Sequence, residues 1–225
     1  MENDVSLIAL LAFSTLLPFI IASGTCFVKF SIVLIMMRNA LGLQQVPSNM
    51  VLNGVALLLS LFVMYPVTQS VFDYYQHNTV NFRDAESLSD FTENGLGRYR
   101  EYLERYSDKD LVAFFEKAQH RSVSQSEINY GAKETDNQSA SILSLLPAYA
   151  LSEIKSAFTI CFYIYLPFVV IDLIISSVLL ALGMMMMSPI TISTPVKLIL
   201  FVAMDGWTLL SKGLVTQYIS LANGG

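Results

Sequence analysis

Charge is what this chain lacks most. Only 14 % of its 225 residues are Asp, Glu, Lys or Arg, against about 25 % in an ordinary soluble domain, and 54 % are apolar. That balance excludes both a disordered chain and an ordinary cytosolic globule. No basic stripe exists, which disfavours a nucleic-acid partner. Two cysteines in 225 residues exclude a small disulfide scaffold. Cys26 and Cys161 both lie in apolar runs and read as buried thiols acting as small hydrophobes. The two histidines, His77 and His120, show no metal-ligand spacing and read as surface residues. There is no glycine-rich phosphate loop, so neither a metal nor a cofactor is implied, and no catalytic residue stands out.

The charge that is present is concentrated. Residues 73–140 hold 13 acids and 8 bases, and the other 157 residues hold five of each sign. The net charge of −5 therefore belongs wholly to a polar insert between two apolar blocks. The blocks run from 1 to 72 and from 141 to 225. Between Asp4 and Lys29 lie 24 uncharged residues, enough at about 1.5 Å rise per residue to cross a hydrocarbon core of roughly 30 Å. Apolar character resumes after Lys29 and continues to Met37. A second apolar run begins near Met50, after Pro47, Ser48 and Asn49, which read as a helix start. The second block runs from Ser156 to Ile171, then from Leu173 to Val196, and finally from Leu198 to about Leu221. The pattern predicts four membrane-type helical segments, those at 5–37 and 142–187 being long or broken. The first carries Glu2 and Asp4 and no base at its start, and it exceeds a signal-peptide core, so it reads as part of the mature chain. Arg38 and Lys197 sit at the two short turns. The positive-inside rule then puts those turns in the cytoplasm, with the insert and both termini outside.

All seven prolines lie in the apolar blocks, where each removes a backbone donor. Lys29, Glu153, Lys155, Asp172, Lys197, Asp205 and Lys212 sit in or beside apolar stretches, as charges that face a bundle interior or an aqueous path do. Two readings fit. One is a chain packed inside an assembly; the other is four kinked spanning helices with snorkelling lysines. Asp172 and Asp205 invite comparison with an intramembrane aspartyl protease, but the Gly-x-Gly-Asp signature is missing from Ala203-Met204-Asp205-Gly206-Trp207. Ion pairing or helix capping is the expected role.

In the insert, Leu88, Phe91, Tyr99, Tyr102, Leu103 and Tyr106 predict an amphipathic helix over 86–106 with a weak point at Gly95 and Gly97. Ser107 is the expected N-cap of a second helix, with Asp110 three residues on. Its apolar face is Leu111, Phe114, Phe115 and Ala118. Residues 122–140 are Ser-, Asn- and Gln-rich and predict a flexible segment. Met184, Met185, Met186 and Met187 are the most unusual local feature. They cover one helical turn or line a loop, and either fill a soft helix end or form a deformable apolar seal.

Pro147-Ala148-Tyr149-Ala150-Leu151-Ser152-Glu153-Ile154-Lys155-Ser156-Ala157-Phe158 resembles the first signature of the FliP/SctR family, core subunits of the type III secretion export apparatus. Pro167-Phe168-Val169-Val170-Ile171-Asp172-Leu173 with Ser176-Ser177 resembles the second. Leu182-Gly183-Met184-Met185-Met186-Met187-Ser188-Pro189 and Asp205-Gly206-Trp207 are also similar, and the likeness covers the whole chain. Thr159 stands where the family usually has a charged or amide residue, and Cys161 where it usually has glycine. The absence of a signal peptide fits the injectisome branch.

The resemblance implies an all-α inner-membrane export gate of long kinked helices, largely embedded in the secretion basal body. It implies about five copies of the chain, with FliQ/SctS-type and FliR/SctT-type subunits in a helical assembly. FlhB/SctU-type switch and FlhA/SctV-type export subunits are the further expected partners, along with lipid and unfolded substrates passing through the centre. The methionines correspond to the family's gasket, and Glu153 and Lys197 are expected to pair between neighbouring subunits, since Glu153 and Lys155 do not face each other on a helix. Two other functions compete. A small-solute transporter predicts internal repeats, and the two blocks show no convincing self-similarity. A ligand-sensing receptor needs a pocket that an insert of about two helices does not evidently supply.

Overall fold

A computed structural model describes residues 11, 14–15, 18–78, 87, 90–126, 141–184 and 186–219, without the side chains of 92–93 and 120–126. The described residues are mostly helical, joined by turns and short loops, and contain no strand. Most of the segment 5–17, Leu88, the stretch 127–140, Met185 and the residues after 219 lie outside them.

Among the described residues the α-helices are α1 Pro18–Gly24, α2 Phe27–Ala40, α3 Asn49–His77, α4 Gly97–Tyr106, α5 Lys109–Ser126, α6 Ile142–Ala181, α7 Pro189–Ala203 and α8 Gly206–Thr216. Of the helices among the described residues, α3 and α6 are each long and apolar enough to cross a membrane. If the bent pairs α1–α2 and α7–α8 each count as one span, the number rises to four, which is the number the hydropathy pattern predicts. The bend between α7 and α8 is 61°.

The long segment at 142–187 is not broken. Residues 142–181 form one helix of 40 residues despite Pro147 and Pro167. At 1.5 Å per residue it is about 60 Å long, roughly twice the hydrocarbon thickness. Its most apolar window is only 11 % buried within the chain, so most of its side chains need cover from lipid or other protein.

The local signals explain where the helices begin and end. Ser48 caps α3: its Oγ accepts from the Val51 amide at 3.4 Å, and its carbonyl accepts from Leu52. Pro189 opens α7 at its first turn. α6 closes in a Schellman motif, with Met184 N donating to the Leu179 carbonyl and Gly183 N to the Leu180 carbonyl. That closure needs Gly183 at φ +74°.

Two expectations for the insert need correction. The amphipathic stretch is not one helix: a π-helical turn at Phe91–Gly95 is separated from α4 by Leu96, a break at the predicted glycine weak point. The cap of α5 is Asp108, not Ser107. The Asp108 carboxylate accepts from the Asp110 amide at 3.1 Å, while Ser107 is extended at φ −84°, ψ 144°. A carboxylate also complements the helix dipole. α5 continues to Ser126, so the first five residues of the segment expected to be flexible are helical.

The chain falls into two compact units. The first comprises 1–28 and 64–153, and the second comprises 29–63 and 154–225. The first has its core on Tyr102, Leu103, Leu145, Ala148 and Tyr149, all fully buried. In the second, Met37, Ala40, Leu41, Phe168 and Phe201 form the core, flanked by Ile171, Trp207 and Leu210.

Candidate functional site

The methionine loop joins α6 to α7. Having left α6 through Gly183, the chain passes Met184 and Met187, 39 % and 41 % exposed, and Met186, fully exposed. Met185 lies outside the described residues. Of the two arrangements open to the sequence, a helical turn or a loop, the structure has the loop. The hairpin tip carries exposed, flexible thioether chains. It can conform to other apolar surface, including copies of itself.

Behind the tip an ion pair spans the stems. Lys197 Nζ donates to Asp172 Oδ2 at 2.5 Å and to the Ala40 carbonyl at 3.3 Å. Lys197 is 5 % exposed, so its ammonium needs this partner. Within the chain, then, the partner of Lys197 is Asp172. An ammonium has three donors, which leaves one N–H for a further acceptor. Glu153 is 2 % exposed, and Lys155 is exposed on the same helix.

Asp205 precedes α8 as its N-cap residue, with a left-handed backbone (φ 52°, ψ 46°) and no side-chain cap bond. Its contribution is the turn itself, which Asp tolerates better than most residues. Directly after it, Gly206 lies against the Phe201 ring, and Trp207 packs edge-on to that ring at 5.3 Å and 90°. The Asp205-Gly206-Trp207 motif is thus the corner between α7 and α8. Phe158 and Pro167 are exposed on α6.

The first signature has a different place. Ala148, Tyr149, Ser152 and Glu153 are all buried, in the unit that contains the insert. The Tyr102 and Tyr149 hydroxyls hydrogen-bond each other, with their rings 5.3 Å apart. Ser152 Oγ accepts from the Asp108 amide and donates to the Ala148 carbonyl, both at 2.7 Å. Pro147 opens this stretch, half-buried. On the other side, Tyr99 donates to the Gly24 carbonyl at 3.0 Å. The signature is therefore the seat on which α4 and the α4–α5 turn rest. Burial pushes the Tyr102 phenol well above its ordinary range; Cys26 and Glu153 act in the same direction and the Tyr149 bond opposes them. Tyr99 is pushed up to about 12 by burial.

Tyr102, Ser152 and Phe201 were not singled out as site residues by the sequence. The spacing of Tyr99, Tyr102 and Tyr106 marks an apolar helix face, but nothing in it names Tyr149 as the partner. Lys29, one of the stranded charges, is buried, donates to the Tyr218 hydroxyl at 2.8 Å and lies 4.8 Å from that ring's centroid. Cys26 and Cys161 are buried and not in a disulfide, as expected, and His77 is exposed at the end of α3. The side chain of His120 lies outside the described residues. No group of three His, Cys, Asp or Glu side chains is poised to hold a metal among the described residues.

The FliP family profile matches residues 10–214. The chain is 66 % identical over 223 residues to Surface presentation of antigens protein SpaP of Salmonella typhimurium, across 99 % of this chain and 100 % of that one. It is 46 % identical over 219 residues to Yop proteins translocation protein R of Yersinia pestis, across 97 % and 98 % of the two chains. To Harpin secretion protein HrcR of Erwinia amylovora it is 38 % identical over 207 residues, across 91 % and 92 %.

Proposed function

The chain belongs to the FliP family, and from that premise we propose that it is a pore-forming subunit of a type III secretion export gate. It passes unfolded effector or needle proteins across the bacterial inner membrane and performs no chemistry of its own. The observation that carries this reading is the exposed methionine loop at the tip of the α6–α7 hairpin. About five such loops around an axis form an apolar constriction soft enough to close on itself and to mould around a passing chain. The long, poorly covered surface of α6 supports a chain solvated by its own copies and by FliQ/SctS-type and FliR/SctT-type subunits. FlhB/SctU-type and FlhA/SctV-type proteins belong to the same machine. The relatives' names, which speak of surface presentation, translocation and secretion, point the same way.

In this reading the insert and both termini face the periplasm. Glu153 of one copy meets the remaining N–H of Lys197 in a neighbour. Because Glu153 is buried in the single chain, assembly has to uncover it. The deciding experiment is the mass of the detergent-solubilised complex, with the chain expressed together with its small neighbours. A multi-copy complex containing those neighbours is expected. A stable monomer or twofold dimer would favour a small-solute transporter.

A further inference from the structure

We infer that Asp172 and Lys197 form a cross-tie that fixes the spacing of the two stems under the methionine loop, and so how tightly the loop closes. The geometry stands by itself; the consequence for closure rests on the sealing role proposed above.

The two residues occupy matched places. Asp172 lies nine residues before the end of α6 and Lys197 eight after the start of α7, so the tie sits about 12–14 Å behind the tip on both stems. Phe168 and Phe201 lie one helical turn farther from the loop on the same faces. They belong to one buried cluster with Met37, Ala40 and Leu41. Lys197 also bonds the Ala40 carbonyl, so the tie is anchored to the end of α2. Toward the tip most side chains are exposed, Leu173, Ile174, Val178, Leu180, Ile190 and Val196 among them, while Leu179 and Ser193 are buried. No other ion pair joins the stems among the described residues. The hairpin is thus held by an apolar core at its base and a charge pair above that core, with Leu179 and Ser193 the buried side chains between the pair and the loop.

A charge pair suits this position. Two apolar residues here would hold the stems by contact alone, whereas the ammonium of Lys197 selects one register of α7 against α6. Buried polar groups fix register in other helical assemblies; here the Lys197 end of the pair is buried and the Asp172 end half-buried.

The test places spin labels at Leu180→Cys and Ile190→Cys, both exposed and flanking the loop; the native Cys26 and Cys161 are 0 % and 3 % exposed and do not compete. Distances are read on the full chain in detergent and on its purified complex, so a variant that fails to assemble still reports. Otherwise unsubstituted, the labelled chain should give one narrow distance. Asp172→Asn and Lys197→Gln should broaden it, Asp172→Glu should keep it narrow, and the swap Asp172→Lys with Lys197→Asp should narrow it again. An unchanged distribution in both charge-removing variants overturns the tie. Resting permeability of cells carrying the same variants separates the two ideas. Broadened distances without added leak uphold the tie and count against the loop as the seal. Unchanged distances, alongside leak caused by methionine-to-alanine substitutions, overturn the tie and leave the seal standing.

Discussion

The Phe201 ring occupies the place that a Cβ on Gly206 would need: an ideal Cβ there would lie 2.1 Å from the ring. The α7–α8 corner is built on that absence, with Asp205 supplying the left-handed step and Trp207 closing over the other side of the contact.

Gly206→Ala should therefore cost about 1–3 kcal/mol by overpacking. Trp207 is the single tryptophan, so its fluorescence reports this corner directly. The substitution should lower the thermal midpoint of the detergent-purified chain and shift Trp207 emission to the red. Adding Phe201→Ala should recover part of the native emission, because the ring that clashes is gone. An unchanged midpoint and emission in Gly206→Ala would refute the corner as described.

The Tyr102–Tyr149 pair holds the insert to the first signature. Each single change to Phe leaves one hydroxyl buried without this partner, at a cost of about 1–3 kcal/mol. The double change removes both groups and should cost less than the sum of the singles. Limited proteolysis of the insert checks this. Equal protection in all variants would separate the pair from the seating of the insert.

Alkali should loosen the same region. Tyr99 keeps its proton in the folded chain up to about 12, while an unfolded tyrosine releases it near 10. Between those values the unfolded state binds fewer protons, so stability falls as pH rises and is unaffected below about 10. An absorbance titration of tyrosinate alongside insert proteolysis should show the loss in that window, and Tyr99→Phe should remove this contribution.

For the pairing proposed between copies, Glu153→Lys and Lys197→Glu should each impair assembly. Removing one member of a buried pair costs about 3–5 kcal/mol. The double swap should recover complex on a native gel better than the Lys197→Glu single, although both lose the bond to Asp172. The Lys197→Glu single also breaks the bond to Asp172, so it should be the worse of the two. Equal defects in all three variants would sink the pairing.

Much of this was legible in the chain itself. The Ser48 start of α3, the glycine weak point in the insert, the buried thiols and the number of apolar segments all follow from local chemistry that acts over a few residues. The seat of the insert was not legible. Tyr102 and Tyr149 are separated by 47 positions, and no periodicity links an aromatic on one helix to a particular aromatic on another. Asp108 displaced Ser107 as the cap because tertiary packing draws the Asp108 amide onto Ser152, a partner in another helix. Asp172 and Lys197 were both visible as stranded charges, but their mutual pairing depends on how the α6–α7 hairpin closes.

Whether the methionines seal a resting pore is read most directly from the permeability of resting cells in which Met184, Met185 and Met186 are replaced by alanine within an otherwise intact secretion machine. Shortening three adaptable side chains should open the constriction, so small membrane-impermeant solutes should enter these cells and not cells with the native loop, while the complex still assembles. Normal assembly with no added permeability would show that the methionines are not the seal.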